Sequence, residues 1–138
     1  MREVLILGAL PQTVEKRRLY ESLTKFLCNY TEEVSSPIDT LEFRGSGKEK
    51  YKRAFQKVRS ADLIISEQSE PSIGQGMEIR EAEIQNKPIV VIAKNRSTIC
   101  GLIPSSPAVK KIIFYNSLKD LESTLSDVFL EFGYFPIN

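Results

Sequence analysis

The chain has 138 residues, enough for one domain with a substantial core. Nineteen Lys and Arg against eighteen Asp and Glu leave a net charge of +1, which argues against a nucleic-acid polymer as partner, and no apolar run approaches the roughly 18 residues of a membrane span. The absence of histidine and the presence of only Cys28 and Cys100 exclude imidazole catalysis, a zinc site and a disulfide framework, so no metal or cofactor is called for and a reducing cytoplasm is the expected setting.

Arg2-Glu3 before only four strongly apolar residues makes no secretory signal. Val4-Leu5-Ile6-Leu7 is a continuous apolar run ending at Gly8, the pattern of a strand covered on both faces. Pro11 and Gln12 turn the chain, and Thr13 caps a helix with Glu15 in its first turn. Leu19, Leu23, Phe26 and Leu27 recur at helical spacing and give that helix one buried face. In residues 29–47 Val34 marks a short strand, whereas Ser35-Ser36-Pro37 and Gly45-Ser46-Gly47 mark a loop. A helix follows over Lys48 to Ser60, with Tyr51, Phe55 and Val58 as its buried stripe. Seven basic residues between Arg44 and Arg59 face one acid, Glu49, and read either as a solvated helix face or as a basic rim drawing a phosphorylated ligand inward.

The centre of the chain is the stretch from Ala61 to Ile79. Leu63-Ile64-Ile65 is a buried strand; Pro71, Gly74 and Gly76 break the backbone; a helix is predicted from Met77 to Gln85. A strand feeding a glycine loop that opens a helix leaves backbone N–H groups free for an anion at the positive end of the helix dipole. Ser72 adds a hydroxyl, and Glu78 falls in the first predicted helical turn beside that anion site. A glutamate there also stabilises a helix by roughly 0.3–1 kcal/mol without any chemistry, so spacing alone leaves both roles open. Asn86-Lys87-Pro88 stops the helix, and Ile89 to Ala93 is the strongest strand. Residues 94–108 are irregular, Ile112-Ile113-Phe114 is the last strand, and Ser117 with Asp120 caps a helix carrying Leu121, Leu125, Val128, Phe129 and Phe132 on one face. The apolar tail Gly133 to Asn138 is expected to lie across the body or against a second subunit.

This alternation predicts a single α/β domain over residues 1–138, doubly wound and flavodoxin- or Rossmann-like, with a five-stranded parallel sheet and helices on both faces. Ligands in such folds sit at the carboxyl ends of the strands where the strand order switches, so Gly8 to Pro11 and Pro71 to Glu78 should face one cleft.

Ala61-Asp62 with three apolar residues, Glu67, Pro71-Ser72-Ile73-Gly74, Gly76, Glu78 and Asn86-Lys87-Pro88 together resemble the nucleoside 2-deoxyribosyltransferase superfamily, above all its 2'-deoxynucleoside 5'-phosphate N-hydrolase branch. The resemblance is specific over about residues 61–93. It implies an N-glycosidase acting on a nucleoside 5'-monophosphate, with Glu78 as the nucleophile that attacks the anomeric carbon. Ser72, Gly74, Gly76 and Gly8 would then form the phosphate and substrate site. Glu67 matches a family glutamate, and Cys100 aligns with a serine lent by a neighbouring subunit, which implies a homodimer. The family tyrosine of the first strand corresponds to Leu5, its phosphate-binding arginine to Pro11 and its base-assisting aspartate to Ala54. Arg53 and Lys57 are further candidates for phosphate, and Glu70, Lys48 and Lys50 for proton transfer. These replacements keep three other readings open: a nucleotide-binding protein without turnover, a nucleoside 2-deoxyribosyltransferase, and a scaffold that docks through its tail.

Overall fold

The computed structural model describes residues 1–137, so the last residue of the apolar tail, Asn138, lies outside the described residues. The elements are β1 (Glu3–Leu7), α1 (Val14–Leu27), β2 (Glu33–Ser35), α2 (Pro37–Glu42), α3 (Gly47–Ser60), β3 (Leu63–Glu67), α4 (Ile73–Ile84), β4 (Ile89–Lys94), β5 (Val109–Tyr115) and α5 (Leu118–Glu131). Five strands form one parallel sheet in the order β2-β1-β3-β4-β5. The order reverses between β1 and β3, where Leu5 sits beside Ile64 and Ile6 beside Ile65. The chain leaves β1 in one direction and returns to β3 on its other side, so the loops after these two strands part and leave a crevice.

Period-two alternation sends β1 side chains to two separate cores. Val4 and Ile6 join Leu19, Leu23 and Phe129 under α1 and α5. Leu5 and Leu7 join Val58, Ile79 and Ala82 under α3 and α4. No described helix is long and apolar enough to cross a membrane.

Three local readings need correction. Ser35-Ser36-Pro37 is not only loop. Ser36 accepts from the Ile38 amide at 3.2 Å, Asp39 accepts from the Ser36 amide at 2.8 Å, and Pro37 occupies the first turn, so these turn formers start the short helix α2. Tyr51 is no part of a buried stripe: it is exposed on α3, its ring 4.6 Å from that of Phe55 between centroids, while Val58 is buried. The helix α4 begins at Ile73, four residues before its predicted start, because Ser72 caps it by accepting from the Gln75 amide at 3.2 Å. Gly74 and Gly76 are therefore helical residues and not loop, and Glu78 belongs to the second turn. The tail, left with two options by the sequence, takes the first. The Ile137 amide donates to the Asn29 carbonyl at 2.7 Å, and Tyr134 packs edge-on against Phe129 and Phe132.

Candidate functional site

A cleft of about 600 Å³ opens at the carboxyl edge of the sheet, over the divide between β1 and β3. Its floor includes Leu5, Leu7 and Gly8 from β1 and the turn after it. One wall is the start of α4, with Ser72, Gly74, Gln75 and Glu78; another is α3, with Lys50, Arg53, Ala54 and Lys57. The sequence expectation that the turns after β1 and β3 face one cleft is met.

The start of α4 is an open set of donors. The Gln75 amide is taken by the Ser72 hydroxyl oxygen, and the Gly76 amide by the Ser72 carbonyl. The amides of Ile73 and Gly74, and the hydroxyl proton of Ser72, donate to no described group. Such a terminus is a ready anion site. Glu78 stands one turn further along the same helix. Its carboxyl is half-buried, with Leu5 and Ala54 among its fellow wall residues, and has no hydrogen bond or ion pair among the described residues. Burial alone pushes it up to about 7 from its ordinary 4.5. A partnerless carboxyl ionising near neutrality, beside free N–H groups, can attack an electrophilic carbon that an anionic handle holds in place.

The other expected residues fall into three groups. Gly8 lines the cleft, but its missing Cβ also serves packing: any Cβ there would collide with the Tyr20 hydroxyl, which donates to the Ala9 carbonyl at 2.6 Å. Gly76 does not line the cleft, because the early helix start turns it to the exposed side of α4. Glu67 is fully buried, not at the cleft lip, because alternation along β3 sends it to the α1 and α5 side of the sheet. There it accepts from the Ser69 amide at 2.6 Å, the Ser69 hydroxyl at 3.0 Å and the Tyr115 hydroxyl. Burial first raises the phenols of both Tyr20 and Tyr115; the Glu67 charge adds to it for Tyr20, and the hydrogen bond to Glu67 and then its charge for Tyr115. Cys100 is exposed in the stretch between β4 and β5 and lies outside the cleft of its own chain. Of the further candidates, Glu70, Lys50, Arg53 and Lys57 line the cleft and Lys48 does not. Arg53 lies over the Phe43 ring at 4.7 Å, and Lys57 pairs with Glu33 at 3.6 Å.

Two wall residues went unread in the sequence. Lys16 is 8% exposed, with its ammonium 3.5 Å from Glu70 and 3.8 Å from Glu67. Its signal was its place on the inward stripe of α1 with Leu19, Tyr20, Leu23 and Leu27. Gln75 is 2% exposed; its Oε1 accepts from the Ser66 hydroxyl at 2.5 Å, and its Nε2 is buried without a partner among the described residues. A polar residue between Gly74 and Gly76 was the visible hint.

No protein-family model matches the chain. A protein of Syntrophotalea carbinolica named "Putative 2'-deoxynucleoside 5'-phosphate N-hydrolase 1" is 34% identical over 122 residues, spanning 83% of this chain and 85% of that protein. Among solved structures, the CMP N-glycosidase BcmB of Clostridium botulinum superposes with a TM-score of 0.74 at 22% identity, covering 92% of this chain and 99% of that one. A 2-deoxyribosyltransferase of Bacillus psychrosaccharolyticus superposes with a TM-score of 0.68 at 16% identity, over 87% of this chain and 90% of that one. At those identities the two structures speak for the fold.

Proposed function

The chain belongs to the nucleoside 2-deoxyribosyltransferase superfamily, on the 2'-deoxynucleoside 5'-phosphate N-hydrolase side, and on that premise we propose that it cleaves the base–sugar bond of a nucleoside 5'-monophosphate. The observation that carries this reading is the partnerless, half-buried Glu78 carboxyl, one helical turn from the free amides and hydroxyl at Ser72 to Gly74. The phosphate rests on those donors and supplies the binding energy that sets C1' against Glu78. A Glu78 oxygen bonds to C1' as the C1'–N bond breaks, and the electron pair leaves with the base. Water then attacks C1', the ester bond to Glu78 breaks, and sugar phosphate departs with the carboxylate restored. Leu5 and Ala54 bring no acid to the leaving base, so its proton comes from another group or from water. The same membership supports a homodimer, and the exposed apolar residues Ile73, Met77 and Ile84 on α4 suit its interface.

The test is release of free base from a panel of ribo- and deoxyribonucleotides. Wild type should turn over at least one of them, and Glu78→Gln should lose about 10³-fold or more of that rate. Equal rates for the two proteins on every nucleotide would overturn the assignment. The absent acid specifically favours a second reading, a nucleotide-binding protein without turnover. That reading predicts thermal stabilisation by nucleotide with no base released.

A further inference from the structure

The cleft holds four cationic side chains, and three are committed elsewhere or open to solvent. Lys50 is exposed, Arg53 is stacked on Phe43, and Lys57 pairs with Glu33; all three stand on α3. Lys16 differs. It comes from the first turn of α1, it is nine-tenths buried, and its ammonium donates no hydrogen bond to any described group. It is held by two longer ion pairs, to Glu67 at 3.8 Å and Glu70 at 3.5 Å, and lies 6.0 Å from the centre of the Tyr20 ring. Glu67 is buried and fixed by Ser69 and Tyr115, but the Glu70 side chain is 69% exposed and makes no hydrogen bond among the described residues. Glu70 stands two residues before Ser72, and Lys16, Glu70 and Ser72 all line the same cleft. The α1 start faces the same cleft: Thr13 caps it by accepting from the Lys16 amide at 3.1 Å, and the amides of Val14 and Glu15 donate to no described group.

A second feature of that wall is an unpaired donor. The Gln75 Nε2, on the residue that follows Gly74, is a buried donor without a partner among the described residues. Buried N–H groups are rarely left unpaired, and a lysine costs several kcal/mol to bury unless it meets negative charge.

We propose that Lys16 is the residue that reads the 5'-phosphate, and that the Glu70 carboxylate stands in for that phosphate until the ligand displaces it. The assignment rests on the nucleotide reading of the cleft and adds to it the group that separates a nucleotide from a nucleoside. A phosphate dianion offers an ammonium more charge and three acceptor oxygens, against the single carboxylate that Glu70 presents. The exchange needs only a solvent-exposed side chain to swing away.

Titration calorimetry with 5'-monophosphates and the matching free nucleosides, on wild type, Lys16→Met, Lys16→Arg and Glu70→Gln, tests the assignment. Lys16→Met should bind monophosphates about 10- to 100-fold more weakly and leave nucleoside affinity within about 2-fold. Lys16→Arg should retain most of the preference for the monophosphate, and Glu70→Gln should strengthen monophosphate binding while leaving nucleosides alone. Should Lys16→Met unfold, the Glu70→Gln comparison decides by itself. An unchanged monophosphate-to-nucleoside ratio in the folded Lys16→Met protein, or in Glu70→Gln, overturns the assignment. Base release is followed in parallel on wild type. If the ratio shifts as described while wild type releases no base, Lys16 stands and the hydrolytic reading falls.

Discussion

At the scale of single residues, Glu78 carries the clearest consequence. Folded, its carboxyl ionises at about 7 instead of 4.5, so the fold favours the protonated form. The sign follows directly: stability from this group is complete below pH 4.5, and about 3 kcal/mol of it is lost as pH rises through about 7. Glu78→Gln should therefore raise the Tm at pH 8 and leave it nearly unchanged at pH 4, which calorimetry at the two values would show. Under the proposed mechanism, activity runs the opposite way. A nucleophile must be ionised, so kcat/KM should climb with pH and level off above about 7. Glu78 and Ser72 were legible in the sequence because they stand in a compact motif. Lys16 was not, because a lysine in a helix is ordinarily solvated, and only the packing of α1 against the sheet decides that this one turns inward. Glu67 shows the converse. Its identity was readable, but the side of the sheet it occupies follows from strand register, and register placed it away from the cleft.

At the scale of elements, α4 is where local signals competed. Two glycines within four residues read as a break, yet a good cap outweighed the roughly 1 kcal/mol that each glycine costs in a helix. Neither glycine is required by its neighbours, since an added Cβ at Gly74 or Gly76 meets nothing within 4 Å. Their substitution separates folding from binding. Gly74→Ala and Gly76→Ala should each stabilise the protein by up to about 1 kcal/mol in urea unfolding. Only Gly74→Ala, on the cleft wall, should weaken nucleotide binding. Ser72 combines both duties. Ser72→Ala should cost about 1 kcal/mol of stability and Ser72→Gly only a few tenths, whereas both should weaken monophosphate binding alike.

At the scale of the whole molecule, the alternation of strands and helices was enough to read the sheet, its parallel sense and the position of the cleft. The short α2 escaped because a single capped turn has no apolar periodicity to announce it. Association is the property that one chain displays least. If two copies pair through α4, light scattering should give twice the chain mass of 15.7 kDa, and Met77→Lys should return it to one. A monomeric wild type would discard that interface.

The close approach of Tyr20 to Gly8 also limits how the protein could be re-engineered. On that side the floor of the cleft has no room to deepen, since the phenol occupies it and pins the turn after β1. A laboratory lineage selected for bulkier substrates, or for an installed proton donor, has its freedom on the opposite flank, where the small side chain of Ala54 leaves space to fill.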